Sequence, residues 1–149
     1  DTYTTDASGL AASRATMPDA DNHIILPEII SKEPLGPVVR HGDNSWGDIV
    51  RWTYYALLIA GEKGITKANV EEVLASTTDE EVKRLLGASG DMGAKFGLDN
   101  AAFKNAIAAV GNYGEIFSRN IGEGTTINLA RGLNALWTQG GLQYAPPFR

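Results

Sequence analysis

The feature that most constrains the fold of this sequence is a change near Gly42 from strand-like to helical patterns of apolar residues. Before it, short segments rich in β-branched and apolar residues alternate with turns, which predicts strands at residues 2–5, 23–26 and 38–40. After it, apolar residues recur at helical spacing almost to the end of the chain. Three strands followed by helices, with no alternating strand–helix series, do not complete a sheet. The order therefore predicts a piece of a larger α/β structure.

Capping residues and glycines divide the helical part. A long helix is predicted to begin at Asp43, Asn44 or Ser45, and its two apolar stripes indicate burial on more than one side. Thr78 and Glu81 have the spacing of a capping box for a short helix that ends at Gly87. Further helices are predicted at residues 8–14, after Thr66, after Asp99 or Asn100, and at residues 126–138.

Charge and composition exclude several classes of function. The chain has 18 acidic and 13 basic side chains, for a net charge of -5, and its scattered basic residues form no stripe for nucleic acid. It has no cysteine for thiolate catalysis or metal binding, and His23 and His41 lack the spacing of a zinc site. No apolar run approaches the ~20 residues that span a bilayer. We expect no cofactor, no metal and no nucleic-acid partner.

Several long motifs resemble type II periplasmic binding proteins, in particular the general L-amino-acid group. Residues 1–6 (DTYTTD) with Ser8, Gly9 and Leu10 resemble the end of the second lobe. The other matching motifs are residues 26–40 (LPEIISKEPLGPVVR) for the return crossover into the first lobe, 46–52 (WGDIVRW) for the long helix, and 111–115 (GNYGE) and 131–137 (RGLNALW) for the C-terminal extension.

The resemblance implies an α/β fold, the C-terminal part of a two-lobe type II periplasmic-binding-protein fold that is helix-rich after residue 42. It assigns residues 1–26 to the end of the second lobe and 27–40 to the hinge crossover and return strand. Residues 41–149 would form the C-terminal part of the first lobe with a helical extension. The implied function is capture of L-amino acids in the periplasm and delivery to the permease of an ABC importer, without chemistry. A dehydratase-like enzyme or a sensor domain on the same scaffold is the alternative.

One ligand residue carries over from the family, namely Asp6, which stands where an aspartate receives the α-ammonium group of the ligand. An ionised carboxylate only accepts hydrogen bonds and suits an ammonium group with three donors. Thr5 is a second candidate, through its hydroxyl. The residues by themselves favour another role for Asp6, a cap on the helix that begins near Ser8; the resemblance favours the ammonium.

The family also implies parts that this sequence lacks, above all the first-lobe arginine that clamps the ligand carboxylate. We therefore expect the chain alone not to bind free amino acids. We also expect the strand-like segments at residues 23–26 and 38–40 to be covered by another polypeptide, because unpaired strand edges invite pairing. That polypeptide would be the missing N-terminal segment or a second copy of the chain.

The remaining candidates are interpreted as structural. Paired glutamates at helix starts suit the helix dipole, and tryptophans at helical spacing favour a place in the core over a ligand cage. A lone histidine without a nucleophile favours a surface loop. A glycine-rich loop outside a strand–loop–helix context is not typical of a phosphate-binding site. These residues are Glu71-Glu72, Glu80-Glu81, Trp46, Trp52, Trp137, His41 and Asp91-Met92-Gly93.

Overall fold

The computed structural model describes residues 1–32 and 34–149, so Glu33 of the predicted crossover lies outside the described residues. Its helices are α1 (Ala7–Ala15), α2 (Asn44–Glu62), α3 (Val70–Ser76), α4 (Glu80–Leu85), α5 (Met92–Lys95), α6 (Ala102–Val110) and α7 (Tyr113–Asn120), with short 3₁₀ turns at Ala20–Asn22, Gly132–Asn134 and Trp137–Gln139. Isolated bridges join Gly122 to Leu129 and Leu136 to Gln143. The described chain divides into two compact units.

The smaller unit comprises Asp1–Pro37 and Phe117–Arg131. Its first helix, α1, confirms the helix predicted at residues 8–14 and buries Ala11. The chain after the 3₁₀ turn forms neither helix nor strand in residues 23–32 and 34–37, and it leaves large apolar side chains in solvent. Ile24 and Ile30 are each 82% exposed. A long apolar segment that is exposed to solvent is unusual on the surface of a folded protein.

The three predicted strands are not formed among the described residues. Residues 2–5, 23–26 and 38–40 lack the ladder hydrogen bonds that define a strand, and Val38 is 95% exposed. The physical reason is that a strand is stable only beside a partner, and no described segment pairs with these residues. The sequence pattern identified residues suited to a sheet, but that pattern does not itself supply the neighbouring strand.

The larger unit comprises Val38–Ile116 and Gly132–Arg149. The predicted start of its long helix is confirmed, because the Asp43 carboxylate caps α2 by accepting the Trp46 N–H at 3.0 Å. Helices α2, α3 and α6 pack together around an apolar core. The largest fully buried side chains are Leu58, Ile59, Ile65, Val70, Leu85, Leu86, Phe103, Ile107 and Phe148.

Two local predictions in the helical part are wrong. The cap of α4 is Asp79, which accepts the N–H groups of Glu81 and Val82, and the predicted Thr78–Glu81 capping box does not form. Residues 126–138 are not a helix but a loop containing two 3₁₀ turns. Asn128 has φ 53° and Gly132 has φ 46°, so two left-handed residues interrupt any right-handed helix there.

Candidate ligand-binding site

Asp6 lies at the start of α1, in extended backbone with φ -61° and ψ 153°. Its Oδ1 accepts the Ser8 hydroxyl at 2.6 Å and the Gly9 N–H at 2.8 Å. This is the geometry of an N-cap, in which the side chain satisfies a helix N–H that has no partner within the helix. The capping role of Asp6 is therefore confirmed.

The surroundings of Asp6 keep its carboxyl group ionised. The Ser8 hydroxyl, followed by the Gly9 N–H, holds the pKa of Asp6 below its ordinary value, and the Thr5 hydroxyl adds a smaller lowering. The side chain is half-buried, whereas Thr5 is exposed. At neutral pH this end of α1 thus presents a fixed negative charge, which is the property that an ammonium ligand requires.

Gly9 allows the cap to sit this close to the helix. A Cβ atom at Gly9 would lie 2.8 Å from Oδ2 of Asp6 and 3.1 Å from Cγ2 of Thr5. The side chains of both predicted site residues therefore lie beside the same backbone position, Gly9. The capping bonds of Asp6 both end on Oδ1. Because a carboxylate has about four acceptor positions on two oxygens, capping and ammonium binding are compatible roles.

A depression lies at the start of α2, with a volume of about 500 Å³. Its polar lining includes Arg40, His41 and Arg51. The depression is open to solvent, whereas ligand pockets are concave sites that enclose most of the ligand and are lined mainly by apolar groups. In addition, Arg51 is already paired with Asp48 at 3.4 Å. We do not assign a ligand to this depression.

Similarity to known proteins extends over the whole chain. It is 72% identical over 149 residues to the glutamate/glutamine/aspartate/asparagine-binding protein of Rhodobacter capsulatus, covering 100% of this chain and 44% of that protein. It is 58% identical over 151 residues to the general L-amino acid-binding periplasmic protein of Rhizobium johnstonii, again covering 44% of the relative. A comparison with protein-family models gives no match.

A solved structure agrees with these relatives. The ABC transporter periplasmic binding protein from Brucella ovis, with glutathione bound, superposes with a TM-score of 0.93 and 54% identity, covering 99% of this chain and 46% of that one. The chain is a homologue of amino-acid ABC transporter periplasmic binding proteins. The predicted fold, a helix-rich C-terminal portion of a type II periplasmic binding protein, is confirmed. The chain spans less than half the length of the curated relatives it matches.

The paired glutamates at helix starts are structural, as predicted. Glu71 pairs with Lys104 at 2.9 Å, and Glu80 pairs with Lys83 at 2.7 Å. The Lys83 ammonium holds the pKa of Glu80 below its ordinary value. Among residues 1–32 and 34–149, no cluster of His, Asp and Glu side chains is arranged to hold a metal ion.

The aromatic candidates divide into two groups. Trp52 packs with the core, as predicted, but Trp46 is 54% exposed and Trp137 is 52% exposed, so the core interpretation is wrong for these two. The prediction from helical spacing is wrong at Trp137 because its segment does not form an α-helix. His41 lies in an exposed turn, as predicted. Asp91 precedes the single turn of α5 and pairs with Lys95 at 3.1 Å, so its carboxylate has a partner within that turn.

Sequence reasoning missed the buried polar contacts around Asn112, which is 7% exposed. Its backbone N–H donates to Glu115 Oε2 at 2.9 Å, and its Oδ1 accepts the Glu115 N–H at 3.0 Å. This is a reciprocal capping box at the start of α7. Its side-chain amide also donates to the Ile65 carbonyl at 2.8 Å. The signal was present in the sequence as Asn followed three residues later by Glu.

No helix among the described residues is both long and apolar enough to cross a bilayer.

Proposed function

We propose that the chain is part of a periplasmic solute-binding protein that captures L-amino acids and delivers them to the membrane permease of an ABC importer. The observation that carries this proposal is 72% identity along the entire chain to a protein named for binding glutamate, glutamine, aspartate and asparagine. Identity at this level, maintained across 149 residues, favours a shared activity over a scaffold reused for another purpose.

In this proposal the ligand is bound and released unchanged. The homologues are binding proteins, and a catalytic alternative would need an acid or base poised at the ligand. The one predicted site carboxylate, Asp6, has its pKa lowered by Ser8, which suits a permanent charge rather than proton transfer near neutral pH. A dehydratase-like enzyme or a sensor domain therefore has less support than transport.

Asp6 supports the proposal through its charge and position. Oδ1 is engaged by the capping donors Ser8 and Gly9, which fix the side chain, while the carboxylate retains acceptor capacity for the α-ammonium group. Thr5, on the same side of Gly9, would add a hydroxyl acceptor. A carboxylate whose orientation is already fixed loses little conformational entropy when it receives the ligand.

The exposed apolar segment supports a larger protein around this chain. Ile24, Ile30 and Val38 are each more than four-fifths exposed. We propose that the rest of a two-lobe protein covers them, and that ligand contacts to both lobes favour the closed form, which docks on the permease. Light scattering of the complete protein tests the rival, a second copy: a concentration-independent monomer argues against exchange of segments between copies.

The test is calorimetry on the complete protein with L-glutamate, L-glutamine, L-aspartate and L-asparagine, with each D-enantiomer as the matched control. Saturable binding of L-forms, weaker binding of D-forms, and recovery of unchanged ligand by mass spectrometry support the proposal. Absence of binding to every L-amino acid contradicts it. Conversion of the ligand would favour the enzyme alternative.

Glutathione is a second candidate ligand, because the Brucella ovis protein is described with glutathione bound. Its γ-glutamyl end carries a free α-ammonium and α-carboxylate, the same groups that an L-amino acid presents. Competition calorimetry separates the two candidate ligands. If glutathione binds more tightly than L-glutamate and the two compete for one site, the proposed ligand class becomes γ-glutamyl peptides.

A further inference from the structure

Phe148 is the most deeply buried residue of the extended segment that follows the last 3₁₀ turn. Its side chain has no solvent exposure, in contrast to Tyr144 at 63%. The ring makes edge-to-face contacts with Trp52, at 5.2 Å between centroids, and with Phe103, at 5.4 Å. These residues belong to α2 and α6. An extended segment thus inserts an aromatic side chain into the centre of the helical core.

The backbone of Phe148 is held by two side chains of α4. Its N–H donates to Glu81 Oε1 at 3.2 Å, and its carbonyl accepts Arg84 Nε at 2.9 Å. Glu81 and Arg84 are three residues apart, so they lie on one helix face. In a sheet, a neighbouring strand makes this pair of bonds to one residue. Here a carboxylate and a guanidinium replace that strand.

Glu81 also connects this contact to the end of α2. Its Oε2 pairs with Lys63 Nζ at 3.0 Å, and the same ammonium pairs with Asp79, the cap of α4, at 2.9 Å. Helix α4 has only six residues, too few to be stable without tertiary contacts. Two of its tertiary hydrogen bonds go to Phe148, and Lys63 pairs with Glu81, which makes one of them.

The segment itself is prepared for this role. Pro146 and Pro147 fix their backbone φ angles and restrict the chain to extended forms, which reduces the entropy lost when Phe148 is bound. Gly140 has φ 82°, so the chain enters the segment through a turn that favours glycine. A stiff segment of this kind can bind and release as one element.

We propose that residues 144–148 form a strap that locks α4 onto the core through Phe148, and that release of the strap is a local opening which frees α4 while α2 and α6 remain folded.

Hydrogen–deuterium exchange of the complete protein, read by mass spectrometry, tests this. In Phe148→Ala the amides of α4 should exchange about ten-fold faster or more, whereas those in the interiors of α2 and α6 should keep their protection. Equal acceleration in all three helices would make Phe148 an ordinary core residue and overturn the strap. No acceleration in α4 would overturn it as well.

A second variant keeps the test decisive if Phe148→Ala does not fold. Arg84→Met retains the aliphatic stem and removes the donor to the Phe148 carbonyl, so it should accelerate exchange in α4 and in residues 145–148 only. The matched control is Lys104→Met, which breaks the exposed pair with Glu71 and should leave α4 protection unchanged. Unchanged exchange in Arg84→Met, or an equal effect of the Lys104 variant on α4, contradicts the proposal.

Discussion

Replacement of Asp6 by asparagine separates its two roles within the complete binding protein. In the wild type the Ser8 hydroxyl and the Gly9 N–H donate to Asp6 Oδ1 at 2.6 and 2.8 Å. An asparagine Oδ1 can accept the same two hydrogen bonds, so α1 keeps its cap. Asparagine and aspartate are equivalent caps, whereas alanine is a poor one. Asp6→Asn should therefore leave the melting temperature near that of the wild type, and Asp6→Ala should lower it.

The effect on ligand binding should follow charge instead. Both variants remove the carboxylate that we propose for the α-ammonium group, and the loss of one charge-assisted hydrogen bond corresponds to about ten- to hundred-fold weaker binding. Calorimetry with the tightest-binding L-amino acid measures the dissociation constant. The melting temperature in thermal unfolding measures the contribution of the cap to stability. Ser8→Ala is the matched control, because it removes a capping donor but retains the charge, so its affinity should stay close to that of the wild type.

The pH dependence provides an independent check. The pKa of Asp6 is held below its ordinary value of 3.8, mainly by the Ser8 hydroxyl, so the carboxylate stays charged as the pH falls to about 5. Affinity should be constant down to that pH and weaken only as the pH falls through the lowered pKa. Wild-type affinity in Asp6→Asn would refute the reasoning and leave Asp6 as a cap alone.

Three further predictions concern the larger unit. Asn112→Ala leaves a buried carbonyl without its donor, so the free energy of unfolding should fall by about 1–3 kcal/mol in denaturant titration, and no change would show that water replaces the amide. Gly87→Ala should be much more destabilising in thermal melts than Gly97→Ala, because a Cβ at Gly87 lies 2.3 Å from a backbone oxygen while the space at Gly97 is open, and both have positive φ. Lys63 hydrogen-bonds Asp79, which raises the pKa of the lysine and lowers that of the aspartate. The pair's contribution should be present from about pH 5 to 9, fall in acid as Asp79 is protonated and fall above the ordinary lysine value of 10.5, so Lys63→Met should flatten both limbs of the pH–stability curve.

The part of the candidate site that sequence could predict was the part built from neighbouring residues. Asp6, Ser8 and Gly9 lie within four positions, and a local spacing rule is enough to predict the cap on α1. The proposed role of Asp6 toward ammonium came from resemblance and stays a prediction. It depends on contacts with a ligand, and no local rule of sequence describes those.

Locally encoded features were also correct elsewhere. The start of α2 at the Asp43 cap and the end of α4 before Gly87, with φ 78°, follow from side chains and backbone freedom within a few residues. Local rules failed at residues 126–138, where apolar periodicity favoured a helix. Left-handed residues interrupt a helix there, and isolated bridges hold parts of the segment in a loop.

The sequence by itself determined the helical character after residue 42, helix α1, the start of α2, the end of α4 and the family resemblance, because these depend on contiguous residues. Only the tertiary structure decided which competing local choice prevailed. Asp79 caps α4 in preference to Thr78, and the same carboxylate pairs with Lys63, sixteen positions away. Phe148 is buried because Glu81 and Arg84 satisfy its backbone from 67 and 64 positions away. The strand-like residues 23–26 remain unpaired, because a β-strand requires a partner that a local pattern cannot provide.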